Sequence, residues 1–239
     1  METNRMDHVD GDRMTLRLVG AVLREVMGVV IVAVTLFVPA GRLNWTMGWA
    51  LVGLYALWVA ATALVLIPSN PQLYLERAAR GKGGKDWDVK ILSLIGLAVL
   101  GKQVVAGLDV RFGWTMPVPL GLQIGAMLVA VGGNALMIWA LAVNRFFSKV
   151  VRLQEDRGHR TVTRGPYRFV RHPGYVGTIA FDLATPIMLG SLWALIPGTV
   201  AASLTLVRTA LEDRALQEEL DGYRDYAQRV HFRLLPGLW

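Results

Sequence analysis

A succession of long apolar blocks, each bounded by charged residues, constrains this chain more than any other feature. Four of them, Leu18–Ala40, Met47–Ile67, Val89–Gly107 and Val118–Val143, are close to or above the roughly 20 apolar residues a helix needs to cross a bilayer. Two shorter blocks, Tyr175–Gly190 and Ser191–Val207, follow back to back and are joined at Gly190-Ser191. They suit a tight hairpin of tilted spans, with Pro186 and Pro197 expected to kink them. The expected fold class is therefore all-α, a polytopic transmembrane helical bundle of five to six spans, with six preferred.

Composition supports that expectation. The 239 residues are 54% hydrophobic and only 18% charged, where a soluble domain carries about a quarter charged residues. A disordered chain, a collagen-like chain and an ordinary soluble enzyme are excluded. The net charge is nevertheless +7. Lys and Arg number three, one, four, one, eight, none and five in the successive segments outside the six blocks. That alternation places both termini and the two long loops in the cytosol, in an integral, multi-pass protein of the cell (inner) membrane. It also accounts for the basic charge without nucleic acid. Trp45, Trp49, Trp87 and Trp114 fall near the expected interfaces and read as a membrane belt.

Other classes fall away on residue chemistry. There is no cysteine, so disulfides, thiol catalysis and thiolate-bound metals are absent; no metal site is expected. Met1–Arg17 mixes acids and bases and does not read as a signal peptide. Arg80–Lys85 is a short basic turn without the spacing of a phosphate loop. Asp182 is the one acid well inside the fifth block, with a pocket or proton role and an interhelical hydrogen bond equally open.

The remaining information lies between Asn144 and Pro236. Gln154-Glu-Asp-Arg-Gly-His159-Arg160-Thr161-Val162 leads into Gly165-Pro-Tyr167-Arg-Phe-Val-Arg-His172-Pro173-Gly174-Tyr175. His172-Pro173 marks a helix start. Downstream, Arg208 and Glu212 are four apart on one helix face, and Ala210–Val230 reads as an amphipathic helix on the membrane surface. The chain divides accordingly into a four-span region, 1–143, and a region carrying the chemistry, 144–239.

The Gly165–Tyr175 segment, the pair Arg208 and Glu212, and the Leu-Leu-Pro near the end resemble the isoprenylcysteine carboxyl methyltransferase family, which shares its membrane core with phospholipid methyltransferases. The resemblance implies S-adenosylmethionine as cofactor, in a cytosolic pocket formed by the 144–175 loop and the C-terminal helices. It puts cofactor contacts on Gln154, His159, Arg160, Thr161, Val162, Tyr167, His172, Pro173, Gly174, Tyr175 and Glu212. It makes Arg208 the substrate-carboxylate arginine. The acceptor is then a lipophilic small molecule or a prenylated group delivered from the bilayer, with carboxylate O-methylation favoured. A carboxylate is already nucleophilic, so in-line transfer needs no metal and no base; an amine or thiol would need one, for which His172 is the first candidate. Two other readings stand beside this: an NADPH-dependent membrane reductase of the sterol-reductase type, disfavoured by Gly174 after Pro173, and a non-enzymatic membrane subunit.

Overall fold

The computed structural model describes residues 2–79 and 83–239, with side chains for 13–79, 83–155 and 157–239. The first half of the basic turn at Arg80–Lys85 lies outside the described residues. Among those described there is no strand. The helices are α1 (Glu2–Ala40), α2 (Thr46–Ser69), α3 (Pro71–Ala78), α4 (Asp86–Phe112), α5 (Leu120–Val143), α6 (Pro173–Leu189), α7 (Leu195–Glu219) and α8 (Tyr223–Arg229). Single 3-10 turns occur at Glu155–Arg157 and Gly165–Arg168.

Four of these helices are long and apolar enough to cross a membrane: Arg13–Ala40 of α1, α2, α4 and α5. Their outward faces remain bare. Leu57, Leu64, Leu97 and Leu128 are 61–77% exposed, an apolar surface far larger than water tolerates on a soluble monomer. The chain is that of an integral membrane protein.

Inside, Leu36 and Phe37 of α1, Leu51 of α2, Ala106 of α4 and Met188 of α6 form one core. The tightest crossing is that of α5 on α6. A Cβ on Gly177 would lie 2.3 Å from the Gly133 carbonyl oxygen, so only glycine lets the two backbones approach this closely. That contact holds the start of α6, where His172 is the N-cap residue and Pro173 the first helical position. In the bundle interior Lys102 Nζ lies 2.6 Å from Asp182 Oδ1, both nearly inaccessible. Asp182 is therefore a bridge between α4 and α6.

Several expectations change in detail. The sixth apolar block and the first half of the expected amphipathic helix are one continuous helix, α7, because nothing between Val207 and Ala210 breaks it. The break comes at Gly222, whose φ of +74° is a conformation glycine adopts without strain. Pro197 falls in the first turn of α7, where a missing N–H costs no hydrogen bond. Pro186 lies inside α6 and deprives the Asp182 carbonyl of its helical donor; Gly198 of α7 packs against that carbonyl. Trp45 is buried on Phe37 and forms no part of an exposed belt. The helix α3 was not expected. Asn70 starts it by accepting the Leu73 N–H at 3.1 Å, with Pro71 next, a pairing suited to a helix N-terminus.

Candidate functional site

The site is assembled from the end of α5, the 144–172 segment, the start of α6 and the far half of α7. Asn144, which ends α5, accepts the Phe146 N–H and donates to the Tyr167 hydroxyl. The next stretch folds over itself. Gln154 Nε2 donates to the Phe146 carbonyl at 2.7 Å, Arg157 donates back to Gln154 Oε1, and the His159 ring lies 4.7 Å from that of Phe146. Burial, reinforced by the charges of Arg152 and Arg157, lowers the His159 pKa, so its imidazole is neutral near pH 7.

Asp213 on α7 organises the other wall. It is fully buried. Its Oδ1 accepts from Arg171 Nε at 2.7 Å and the Tyr223 hydroxyl at 3.0 Å; its Oδ2 accepts from Arg171 Nη2, Arg233 and Gln217 at 2.9 Å each. Burial alone would raise its pKa, but the bonds from His172, Arg171 and Arg233 outweigh that and hold it well below the carboxylate range. Arg171 also donates to the carbonyls of Val230 and His231, and the backbone N–H groups of Arg171 and His172 bond the carbonyls of Phe232 and Arg233. The C-terminal segment is thereby strapped across the loop. His172 Nε2 lies 3.2 Å from Asp213 Oδ1. The Asp213 carboxylate is the acceptor in this contact and Nε2 the donor.

Between these walls lies a cavity. His159, Arg160, Thr161 and Val162 line one side; Tyr167, His172, Gly174, Tyr175 and Glu212 line the other. Tyr175 stacks on His172, ring centroids 5.7 Å apart, and donates its hydroxyl to Glu212 Oε2. Among the described residues nothing bonds the second oxygen of Glu212. A carboxylate with one free oxygen, stacked aromatic rings and a neutral imidazole suit a ligand carrying an ammonium, a sulfonium and an adenine. The enclosed space is about 60 Å³, well below the roughly 300–1,000 Å³ of pockets that enclose such ligands. A ligand of that size fills more space than this cavity encloses.

Two residues expected at this site stand elsewhere. Gln154 is buried behind His159, bracing the loop from outside the cavity lining, and Pro173 supplies only the first turn of α6. Arg208 faces the other side of Tyr175, its guanidinium 5.1 Å from the ring centre. It does not pair with Glu212. Arg208 Nε donates to Asp88 Oδ1 at 2.6 Å and Nη2 to the Lys149 carbonyl at 2.7 Å; Nη1 makes no hydrogen bond among the described residues. There it borders a second cavity of about 390 Å³, walled by Leu92, Ile95, Met137, Thr178 and Thr205 of α4 to α7. Tyr175 and Phe147 belong to both cavities. Asp88 and Asp213 were not foreseen. Each is an acid in a charged stretch whose partners lie far away in the chain, so no local pattern marks it.

Comparison with known proteins agrees with this geometry. Residues 125–218, from α5 to the end of α7, match the family described as "Isoprenylcysteine carboxyl methyltransferase (ICMT) family". A probable protein-S-isoprenylcysteine O-methyltransferase of Oryza sativa subsp. indica is 31% identical over 114 residues, which cover 45% of this chain and 58% of that protein. The protein-S-isoprenylcysteine O-methyltransferase of Mus musculus is 33% identical over 117 residues, 46% of this chain and 40% of that one. The chain thus matches little more than half the length of these relatives, or less. A solved eukaryotic intramembrane Ras methyltransferase, also an isoprenylcysteine carboxyl methyltransferase, superposes with a TM-score of 0.61 over 87% of this chain and 73% of its own, at 19% identity. Over residues 125–218 the chain resembles the isoprenylcysteine carboxyl methyltransferase family in sequence, and over most of its length it has that fold.

Proposed function

We propose that this protein is an integral-membrane, S-adenosylmethionine-dependent methyltransferase acting on the carboxylate of a lipophilic acceptor, a prenylcysteine being the acceptor class named for its relatives. One observation carries the reading: a polar cavity and an apolar cavity meet at Tyr175, with Glu212 on one side of that ring and Arg208 on the other. The cofactor, when bound, supplies an electrophilic methyl group. The protein's own task is alignment, which contributes up to roughly 7–11 kcal/mol to such reactions.

The free oxygen of Glu212 holds the amino group, Tyr167 and Tyr175 wall the aromatic part, and segment 159–162 closes over it. Arg208, held rigid by Asp88 and Lys149, offers its unused Nη1 to the acceptor carboxylate. The apolar cavity between α4 and α7 takes the lipid tail. In this reading α6 and the first half of α7 are the fifth and sixth spans, and the termini and both long loops face the cytosol.

Titration calorimetry in detergent tests this directly. S-adenosylhomocysteine binds the folded protein, and Glu212→Ala weakens it at least about tenfold, the equivalent of one charge-assisted bond. Radiolabelled methyl groups from S-adenosylmethionine appear in a base-labile ester in membranes, and Arg208→Gln abolishes that label while leaving S-adenosylhomocysteine binding intact. A folded protein that binds neither ligand overturns the proposal.

A further inference from the structure

Outside the site just described, a polar cavity lies where α2 ends beside α5. Its volume is about 530 Å³. Buried Leu66, Leu73 and Leu141 lie beneath it, while Asn70, Arg145 and Arg164 form the rim. The two helix ends are locked at one level, since Asn70 Nδ2 donates to the Arg145 carbonyl at 3.2 Å. With α2 and α5 in a membrane, their C-terminal ends, and with them the rim, lie at the level of the lipid headgroups.

The charges at the rim are unequal in duty. Arg157, also in the lining, is consumed by the protein: it bonds Glu76, Gln154, Asn70 and the Arg145 carbonyl. It thus offsets the partial negative charge of the two helix C-termini. Arg145 and Arg164 are exposed, and neither forms an ion pair among the described residues. Arg145 is steadied by lying over the Phe146 ring, 4.8 Å from its centre. Two uncommitted guanidiniums at the ends of spanning helices complement a lipid phosphate.

We propose that this cavity binds the headgroup of an anionic membrane lipid, its phosphate held by Arg145 and Arg164. The site is coupled to the cofactor cavity by position. Arg145 and Arg164 also line an adjoining cavity together with Arg160, Thr161 and Val162, which line the candidate cofactor cavity as well. A bound headgroup holds Arg164, two residues beyond those that line the candidate cofactor cavity. The proposal rests on α2 and α5 lying in a membrane and not on methyl transfer.

Native mass spectrometry of delipidated protein tests it, with phosphatidylglycerol and phosphatidylcholine as probes. Wild type retains phosphatidylglycerol in preference to phosphatidylcholine. The double variant Arg145→Gln/Arg164→Gln loses about twenty- to thirtyfold of that preference, roughly fivefold for each arginine. Both residues are exposed, so the fold survives their loss. Arg168→Gln removes an equally exposed arginine, one stacked on Phe169 and outside this cavity, and leaves the preference unchanged. A wild type without preference, or equal losses in the double variant and Arg168→Gln, overturns the proposal. Displacement of the lipid by millimolar inorganic phosphate identifies a soluble anion as the occupant and overturns the lipid assignment. Binding is read without any cofactor, so a failed methyltransferase reading leaves this result interpretable.

Discussion

Asp213 and Asp182 are both buried carboxylates, yet the protein treats them in opposite ways. Asp213, at the membrane-surface end of α7, collects Arg171, Arg233, His172, Tyr223 and Gln217. Asp182, inside the bundle, has one cation, Lys102. The hub carries more positive charge than it cancels, which is tolerable only near water or an anionic ligand. The interior pair is one to one, as a low-dielectric setting requires. One carboxylate builds a site. The other joins two helices.

The contrast is broken most severely at the hub. Asp213→Asn keeps the shape but strips the charge that Arg171 and Arg233 share, and the expected loss is about 3–5 kcal/mol of stability. Thermal unfolding in detergent measures it, and S-adenosylhomocysteine binding should vanish with it. Acid makes the same test gradually. The folded pKa of Asp213 lies below its unfolded value of about 3.9. Its contribution is therefore present in full above about pH 5 and is lost as the pH falls toward the folded pKa. The acid limb of the Asp213→Asn stability profile should be flatter than that of wild type.

The interior pair should respond differently. Lys102→Met leaves Asp182 buried without its cation, at a cost of about 3 kcal/mol. The double change Lys102→Met/Asp182→Leu removes both charges, and stability should return to within about 1 kcal/mol of wild type. Melting curves of the three variants decide it. A double variant as unstable as the single one would show that Asp182 does more than join α4 to α6.

The same two residues show what was legible in the sequence. The four long spans could be read to within a few residues at most ends, because hydrocarbon imposes a length on any helix that crosses it. Asp182 stood out as a lone acid in an apolar block, and Lys102 lies near the far end of another, although nothing local pairs them. Asp213 and Asp88 were hidden among other charges. Their partners lie 42 and 120 residues away, and such pairings exist only after folding. Helix spacing puts Arg208 and Glu212 on one face, which left an ion pair between them open beside the substrate-binding reading. Tertiary contacts prevailed, with Asp88 taking the arginine and Tyr175 the glutamate. The start of α3 is written in Asn70-Pro71, a cap and a first-turn proline, but a helix of eight residues carries too few apolar positions to mark its length.

The finest difference between the two regions concerns neutral bonds. The hub is bordered by Tyr226, whose hydroxyl donates to the Tyr167 carbonyl at 2.6 Å. Tyr226→Phe deletes that donor without creating a cavity and should cost about 1 kcal/mol, far less than the loss of Asp213. The consequence for binding is more diagnostic. The carbonyl it holds belongs to the 3-10 turn that presents the Tyr167 ring to the cofactor cavity, and Asn144 alone then fixes that side chain. Affinity for S-adenosylhomocysteine should fall about threefold, near 0.6 kcal/mol, with melting lowered by only a few degrees. If melting falls and affinity does not, the hub stabilises the fold without shaping the cavity, and the division of labour between Asp213 and Asp182 is one of depth in the membrane and not of function.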